Sequence, residues 1–208
     1  MKKQLVISIG CLSILFSLIP LTGCDTERLN DMPSSWNTGT LLEDEASLQP
    51  ASTTQQTLEK VEAQGYDTLF GNYETGDTPF RGTKVSSMTL GQLFDFSQPS
   101  NQYGQYVKTR LPETTEAYKK GQTSTPMGKY QIVGTTLRNV ADQMGLPEDT
   151  VFNKETQDKM FLFLAKDAIT RGKTSTQQRQ NLRKVWEGFK HVDNATLDKL
   201  IAEVGNAK

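Results

Sequence analysis

Thr125-Pro126-Met127-Gly128-Lys129-Tyr130-Gln131-Ile132-Val133-Gly134-Thr135-Thr136-Leu137 reads as two units joined. The first is a turn of small residues that carries an aromatic and an amide, both expected to be exposed. The second is a helix capped by Thr135 or Thr136 and running through Met144. Leu137, Val140, Ala141 and Met144 recur at helical spacing, and Gly145 supplies the stop. Gly128 predicts a close approach, either by a ligand or by the backbone of another turn. Tyr130 offers a ring face and a hydroxyl, and Gln131 offers two donors and an acceptor. Such a pair suits the holding of a sugar. The bland alternative is tyrosine as core filler and glutamine as a loop brace.

Upstream, Leu58-Glu59-Lys60-Val61-Glu62-Ala63-Gln64-Gly65-Tyr66-Asp67 predicts a helix over about 55–64, with Leu58 and Val61 on one face and Gly65 ending it. Glu62 falls in its last turn, at the negative end of the helix dipole. That position and partial burial both disfavour the carboxylate and raise its pKa. A raised pKa is what a general acid needs to protonate a glycosidic oxygen near neutral pH. The alternatives are a solvated helix-terminal glutamate, or Glu59 one turn earlier. A typical glycosidase has two carboxylates. Asp67, Glu74 and Asp77 are the nearest candidates, and none has a spacing that forces a pair with Glu62. Asp67 reads equally well as a turn cap.

Residues 66–85 are irregular and Gly-rich, a loop or short strands. Further helices are expected from Ser87-Met88-Thr89-Leu90 to Phe96, near 105–110, and at about 154–170, 175–189 and 194–204. Met160, Phe161, Phe163, Leu164 and Ala168 form a broad apolar stripe, so 154–170 should be the most buried helix, with Trp186 and Phe189 closing over it.

The N-terminus has a different character. Lys2 and Lys3 precede an apolar run from Leu5 to Ile19, and Leu21-Thr22-Gly23-Cys24 follows. This resembles a bacterial lipoprotein signal, with cleavage before Cys24 and lipid on that cysteine. Residues 1–23 are then the signal peptide. Residues 24–55 are the lipidated cysteine and a polar tether, reaching roughly 30 Å. Residues 56–208 form one domain, large enough for a single core. Asp25, directly after the lipidated position, resembles an inner-membrane retention signal. The periplasmic face of the inner membrane is therefore the expected location.

Composition then excludes several chemistries. Of the two cysteines, Cys11 leaves with the signal and Cys24 is consumed by lipid. One histidine, His191, is present. Cys- and His-based zinc sites and a Cys–His nucleophilic pair are thereby excluded. The expectation is no metal and no cofactor. The 23 basic residues include Lys2 and Lys3, leaving 21 against 24 acidic residues, a net charge of −3. No basic stripe argues for nucleic acid.

Two motifs together carry a resemblance. Glu62…Gly65-Tyr66-Asp67-Thr68-Leu69-Phe70-Gly71-Asn72, followed by Ser124 to Val133 and Thr135-Thr136-Leu137-Arg138, resembles the phage lambda-type lysozymes and related phage and prophage peptidoglycan transglycosylases. Phe152, Gln157-Asp158 and Trp186 match their helical half in order, so the resemblance covers about 56–190. It implies an α+β, lysozyme-like fold, predominantly helical, with a small irregular or β insert after the first helix. It implies Glu62 as the single catalytic acid/base. Tyr66, Asp67, Gly128, Tyr130 and Gln131 would bind substrate. The family reaction cleaves the MurNAc–GlcNAc β-1,4 bond, with capture by the MurNAc C6 hydroxyl and a 1,6-anhydro product. Many lytic transglycosylases have a serine directly after the glutamate, and this chain has Ala63. The first expectation is thus a monomeric, membrane-anchored lytic transglycosylase acting on peptidoglycan glycan strands. A hydrolytic muramidase of the same fold and a non-catalytic lysozyme-like lipoprotein that binds glycan or protein are the alternatives.

Overall fold

The computed structural model describes residues 57, 65–70, 79–110 and 124–206. The expected signal peptide and tether, with Cys24, Glu59, Glu62, Glu74 and Asp77, lie outside the described residues, as does nearly all of the helix expected over 55–64. Thr57 within it is helical.

Six α-helices and one two-stranded antiparallel sheet make up the regular structure among the described residues. They are α1 (Leu90–Phe96), α2 (Gln102–Arg110), β1 (Pro126–Met127), β2 (Ile132–Val133), α3 (Gly134–Gln143), α4 (Lys154–Thr170), α5 (Ser175–Val185) and α6 (Asn194–Asn206). Short 3-10 turns cover Val85–Ser87 and Glu187–His191. The class is α+β with helix dominant, as the sequence predicts.

Local chemistry sets most helix starts. Thr89 and Gln92 form a reciprocal capping box at α1. Asn153 caps α4 through Thr156 N–H, and Thr174 caps α5 through Gln177 N–H. Gly145 takes φ +64° after α3, and Leu146 N–H reaches back to the Ala141 carbonyl, the glycine stop expected there. The start of α3 differs from expectation. The helix begins at Gly134 after Val133, with no side-chain cap, so neither Thr135 nor Thr136 plays that part. A Cβ on Gly134 would lie 2.3 Å from Ser97 Oγ. The chain turns into α3 at the one residue small enough to pass there.

α4 is the central helix. It packs on α3, α5 and α6, while α1 packs on α2 and α3. Met160, Phe161, Leu162, Ala165 and Ala168 are buried along it. Phe163 and Leu164, expected in the buried stripe, are only half-buried. Phe161 lies 5.1 Å from the Trp186 ring and Trp186 lies 5.5 Å from Phe189, ring centre to ring centre, so the expected aromatic closure is present. Helix α5 ends at Val185, and the chain expected to stay helical to 189 continues instead as the 3-10 turn.

The sheet is also placed differently from the sequence reading. Its strands flank the 128–131 turn, whereas residues 66–85 contribute a single bridge, Leu69 to Met127, among the described residues.

Candidate functional site

The loop between β1 and β2 is a tight four-residue turn, Gly128 to Gln131, set by register Met127 to Ile132. Gln131 N–H donates to the Gly128 carbonyl at 3.2 Å. Two residues take left-handed backbone, Gly128 at φ +73° and Gln131 at φ +48°. The second is uncommon for a residue with a Cβ. The Gln131 side chain braces it, donating from Nε2 to the Gly128 carbonyl (2.8 Å) and the Thr68 carbonyl (3.3 Å).

The short segment 65–70 lies directly against this loop. Gly65 and Thr68 close a turn, with Thr68 N–H donating to the Gly65 carbonyl and Gly65 N–H to Thr68 Oγ1. Gly128 N–H then donates to the Thr68 carbonyl at 2.9 Å, and Leu69 pairs with Met127. Gly128 is indeed a point of close approach. What fills the space is the Gln157 amide: a Cβ on Gly128 would lie 2.3 Å from Gln157 Oε1. Gln157 is wholly buried and accepts from Lys129 N–H. It also donates to the Tyr66 and Phe152 carbonyls.

Beside Gln157 on α4, Asp158 is 1% exposed. Its Oδ1 accepts from Tyr130 Oη at 2.5 Å and Tyr66 Oη at 3.0 Å, and its Oδ2 accepts from Lys154 Nζ at 2.9 Å. Burial pushes the Tyr130 phenol far above its ordinary value, and the Asp158 hydrogen bond and charge push the same way. Tyr130 therefore stays a donor at any physiological pH. Its ring stacks on Phe161 at 4.5 Å, and its carbonyl accepts from Trp186 Nε1. Two ammonium groups flank the Tyr66 ring, Lys129 at 5.0 Å and Lys154 at 5.7 Å, within cation–π range.

These contacts correct the sequence reading in three places. Tyr130 and Gln131 are not an exposed pair; they are 0% and 5% exposed. Tyr130 is core filler with its hydroxyl committed to Asp158, and Gln131 is a loop brace. Asp67 accepts from Ser86 N–H at 2.9 Å and pairs with Lys84 at 3.2 Å, so it fastens the 3-10 turn at Val85–Ser87 rather than its own turn. Burial raises its pKa, but the hydrogen bonds from Ser86 and the hydrogen bond and charge of Lys84 outweigh this and hold it below the ordinary value. Glu62, the proposed acid, and Cys24 lie outside the described residues.

Three residues of the cluster received no role from the sequence: Lys154, Gln157 and Asp158. A signal for two of them was available. Gln157 and Asp158 precede Phe161 by four and three positions, which puts both on the buried face of α4.

The arrangement among the described residues is a network of positioning hydrogen bonds. Asp158 and Asp67 each have their oxygens engaged by donors of the protein. The shallow depression beside Gln131, lined by Thr136, Leu164, Val185 and Trp186, is too small for a sugar ring. Among the described residues no group of three His, Cys, Asp or Glu side chains is placed to hold a metal ion, and no helix is long and apolar enough to cross a membrane. No protein-family model, curated protein or solved structure matches this chain.

Proposed function

We propose that the chain is a lipid-anchored peptidoglycan lytic transglycosylase of lysozyme-like fold, with Glu62 as acid and then base. The observation that supports this best is the direct bonding of the two segments that carry the family resemblance. Gly128 N–H meets the Thr68 carbonyl, and Leu69 pairs with Met127, although the segments are far apart in sequence. In the sequence, Glu62 stands three residues before Gly65.

In this reading Glu62 protonates the glycosidic oxygen as the MurNAc–GlcNAc bond breaks. The substrate's N-acetyl group supplies the nucleophile. Glu62 then takes the proton of the MurNAc C6 hydroxyl, which closes the 1,6-anhydro ring without consuming water. An inverting hydrolase would need a second carboxylate roughly 6.5–9.5 Å away to activate water. Asp67 was the nearest candidate, and its oxygens are occupied by Ser86 and Lys84. Cys24 would hold the domain at the periplasmic face of the inner membrane, with the tether giving access to the wall.

One other reading has specific support. Ala63 stands where many transglycosylases have serine, and the two side chains expected to hold sugar are buried in the protein. A lysozyme-like lipoprotein that binds glycan or protein without cutting fits the first fact, and the second requires that any glycan be held by other side chains. Digestion of purified murein by the full chain in detergent separates the two. Cleavage to muropeptides with anhydro ends supports the enzyme, and retention on murein without cleavage supports the binder.

A further inference from the structure

We infer that the outer face of α5 docks the acidic peptide stems of peptidoglycan. The identity of the occupant rests on the proposed murein reading, and the face itself rests on the structure. From Gly172 to Val185 the chain has four basic residues, Lys173, Arg179, Arg183 and Lys184, and no acidic one, in a protein of net charge −1. Arg179 turns to α6, where its Nη1 donates to both carboxylate oxygens of Asp198 at 2.7 and 2.9 Å. Arg183 is held by uncharged oxygens. Its Nε donates to the Phe189 carbonyl, and its Nη2 to the Val192 carbonyl and Asn194 Oδ1. The guanidinium is thus fixed in place with its charge uncompensated. Lys173 and Lys184 are exposed. Among the described residues no carboxylate pairs with Lys173, Arg183 or Lys184.

These groups form a stripe. Gln177, Gln180 and Lys184 recur at helical spacing and are all exposed. Lys173 joins the near end, because its N–H donates to Gln177 Oε1 at 2.8 Å. The result is a cation at each end with amide side chains between them, about 15 Å long. An extended peptide of four residues spans roughly 14 Å. Its carboxylates suit the lysines, and its backbone suits the amides, which both donate and accept. A bilayer suits this face less well. A helix that lies on lipid turns an apolar face toward it, whereas Leu182 and the adjoining Trp186 are buried in the core. Tyr130 and Gln131, the expected sugar contacts, are buried as well. The α5 face therefore supplies a murein contact that the 128–131 turn does not.

The test titrates the 15N-labelled full chain in mild detergent with the purified stem tetrapeptide of murein, which contains no glycosidic bond to cut. Peptide-induced shifts are expected at Lys173, Gln177, Gln180 and Lys184. Replacing one lysine, as in Lys184→Gln, should weaken binding roughly two- to fivefold. The Lys173→Gln/Lys184→Gln double variant should lose about tenfold, with an unchanged thermal midpoint. Lys108→Gln, an equal charge change at an exposed position on α2, should bind as the parent does. Tetrapeptide with its carboxyls amidated should bind at least tenfold more weakly, roughly as the double variant does. No shifts on this face at millimolar peptide would overturn the inference, as would equal binding of the amidated peptide or of the double variant. Shifts induced by bicelles of anionic lipid and not by the peptide would overturn it in favour of a bilayer. A parent that binds the peptide on α5 but releases no muropeptides from murein would leave this docking face standing and sink the enzymatic reading instead.

Discussion

Gly128 carries more of the site than any other single position. Its φ of +73° is strained for a side chain, and its missing Cβ is the space that the Gln157 amide occupies. Gln157 is buried and bonded on both ends, so it has no cheap way to withdraw. Gly128→Ala is expected to destabilise the domain by about 2–4 kcal/mol, from left-handed strain and from hydrogen bonds lost at Gln157. Urea denaturation at neutral pH measures this, and a loss below about 0.5 kcal/mol would show that the contact yields freely. The sequence made Gly128 legible as a point of close approach. It did not show what approaches, because the partner comes from α4, well downstream. Tyr130 was misread for the same reason. Small residues before it suggest an open loop, but the space they leave belongs to Gln157, and the phenol turns inward to Asp158.

At the level of elements, short contacts between segments decide what propensity leaves open. Helices α1, α3, α4, α5 and α6 announce themselves through caps, apolar spacing and a glycine stop. The two-residue strands do not, since alternation needs more residues than they contain. α2 was read as a stub near 105–110 and extends back to Gln102. Tyr103 explains why. It is buried, stacks on Phe96, and its hydroxyl accepts from Phe70 N–H and donates to the Pro126 carbonyl. A tertiary anchor of that kind overrides weak local preference. Asp67 is the matching anchor between segment 65–70 and the 3-10 turn at Val85–Ser87. Its pKa is lowered in the folded state, so its stabilisation is present above the unfolded value near 3.8 and is lost as pH falls through the folded value. Asp67→Asn should therefore cost about 1–2 kcal/mol at pH 7. The gap from the parent should narrow below about pH 4. Urea midpoints of both proteins from pH 7 to pH 3 measure this. A gap that stays constant across that range would remove Asp67 as the titrating group.

For the whole molecule, a signal peptide and a tether are proposed to precede the one α+β domain. The domain's helical character was legible because long periodic segments dominate it. The proposed anchoring rests on the reading of Leu21-Thr22-Gly23-Cys24 alone. Cys24→Ala is expected to release the protein from membranes or to leave an unprocessed precursor. Fractionation with immunodetection checks this, and normal membrane retention of a processed Cys24→Ala protein would contradict it. With lipid in place, Asp25 should keep the protein in the inner membrane, and recovery in the outer membrane would contradict that part.

In the proposed function Glu62 cuts murein by intramolecular transfer. The most direct measurement is the mass of the muropeptides released by the full chain in detergent, beside its Glu62→Gln variant. The variant keeps the shape of the side chain and loses the proton donor. The expected result is 1,6-anhydro ends, one water lighter than hydrolysed muropeptides, from the parent, and no release from a natively folded Glu62→Gln protein. Reducing ends from the parent, or parental cleavage by the variant, would contradict it.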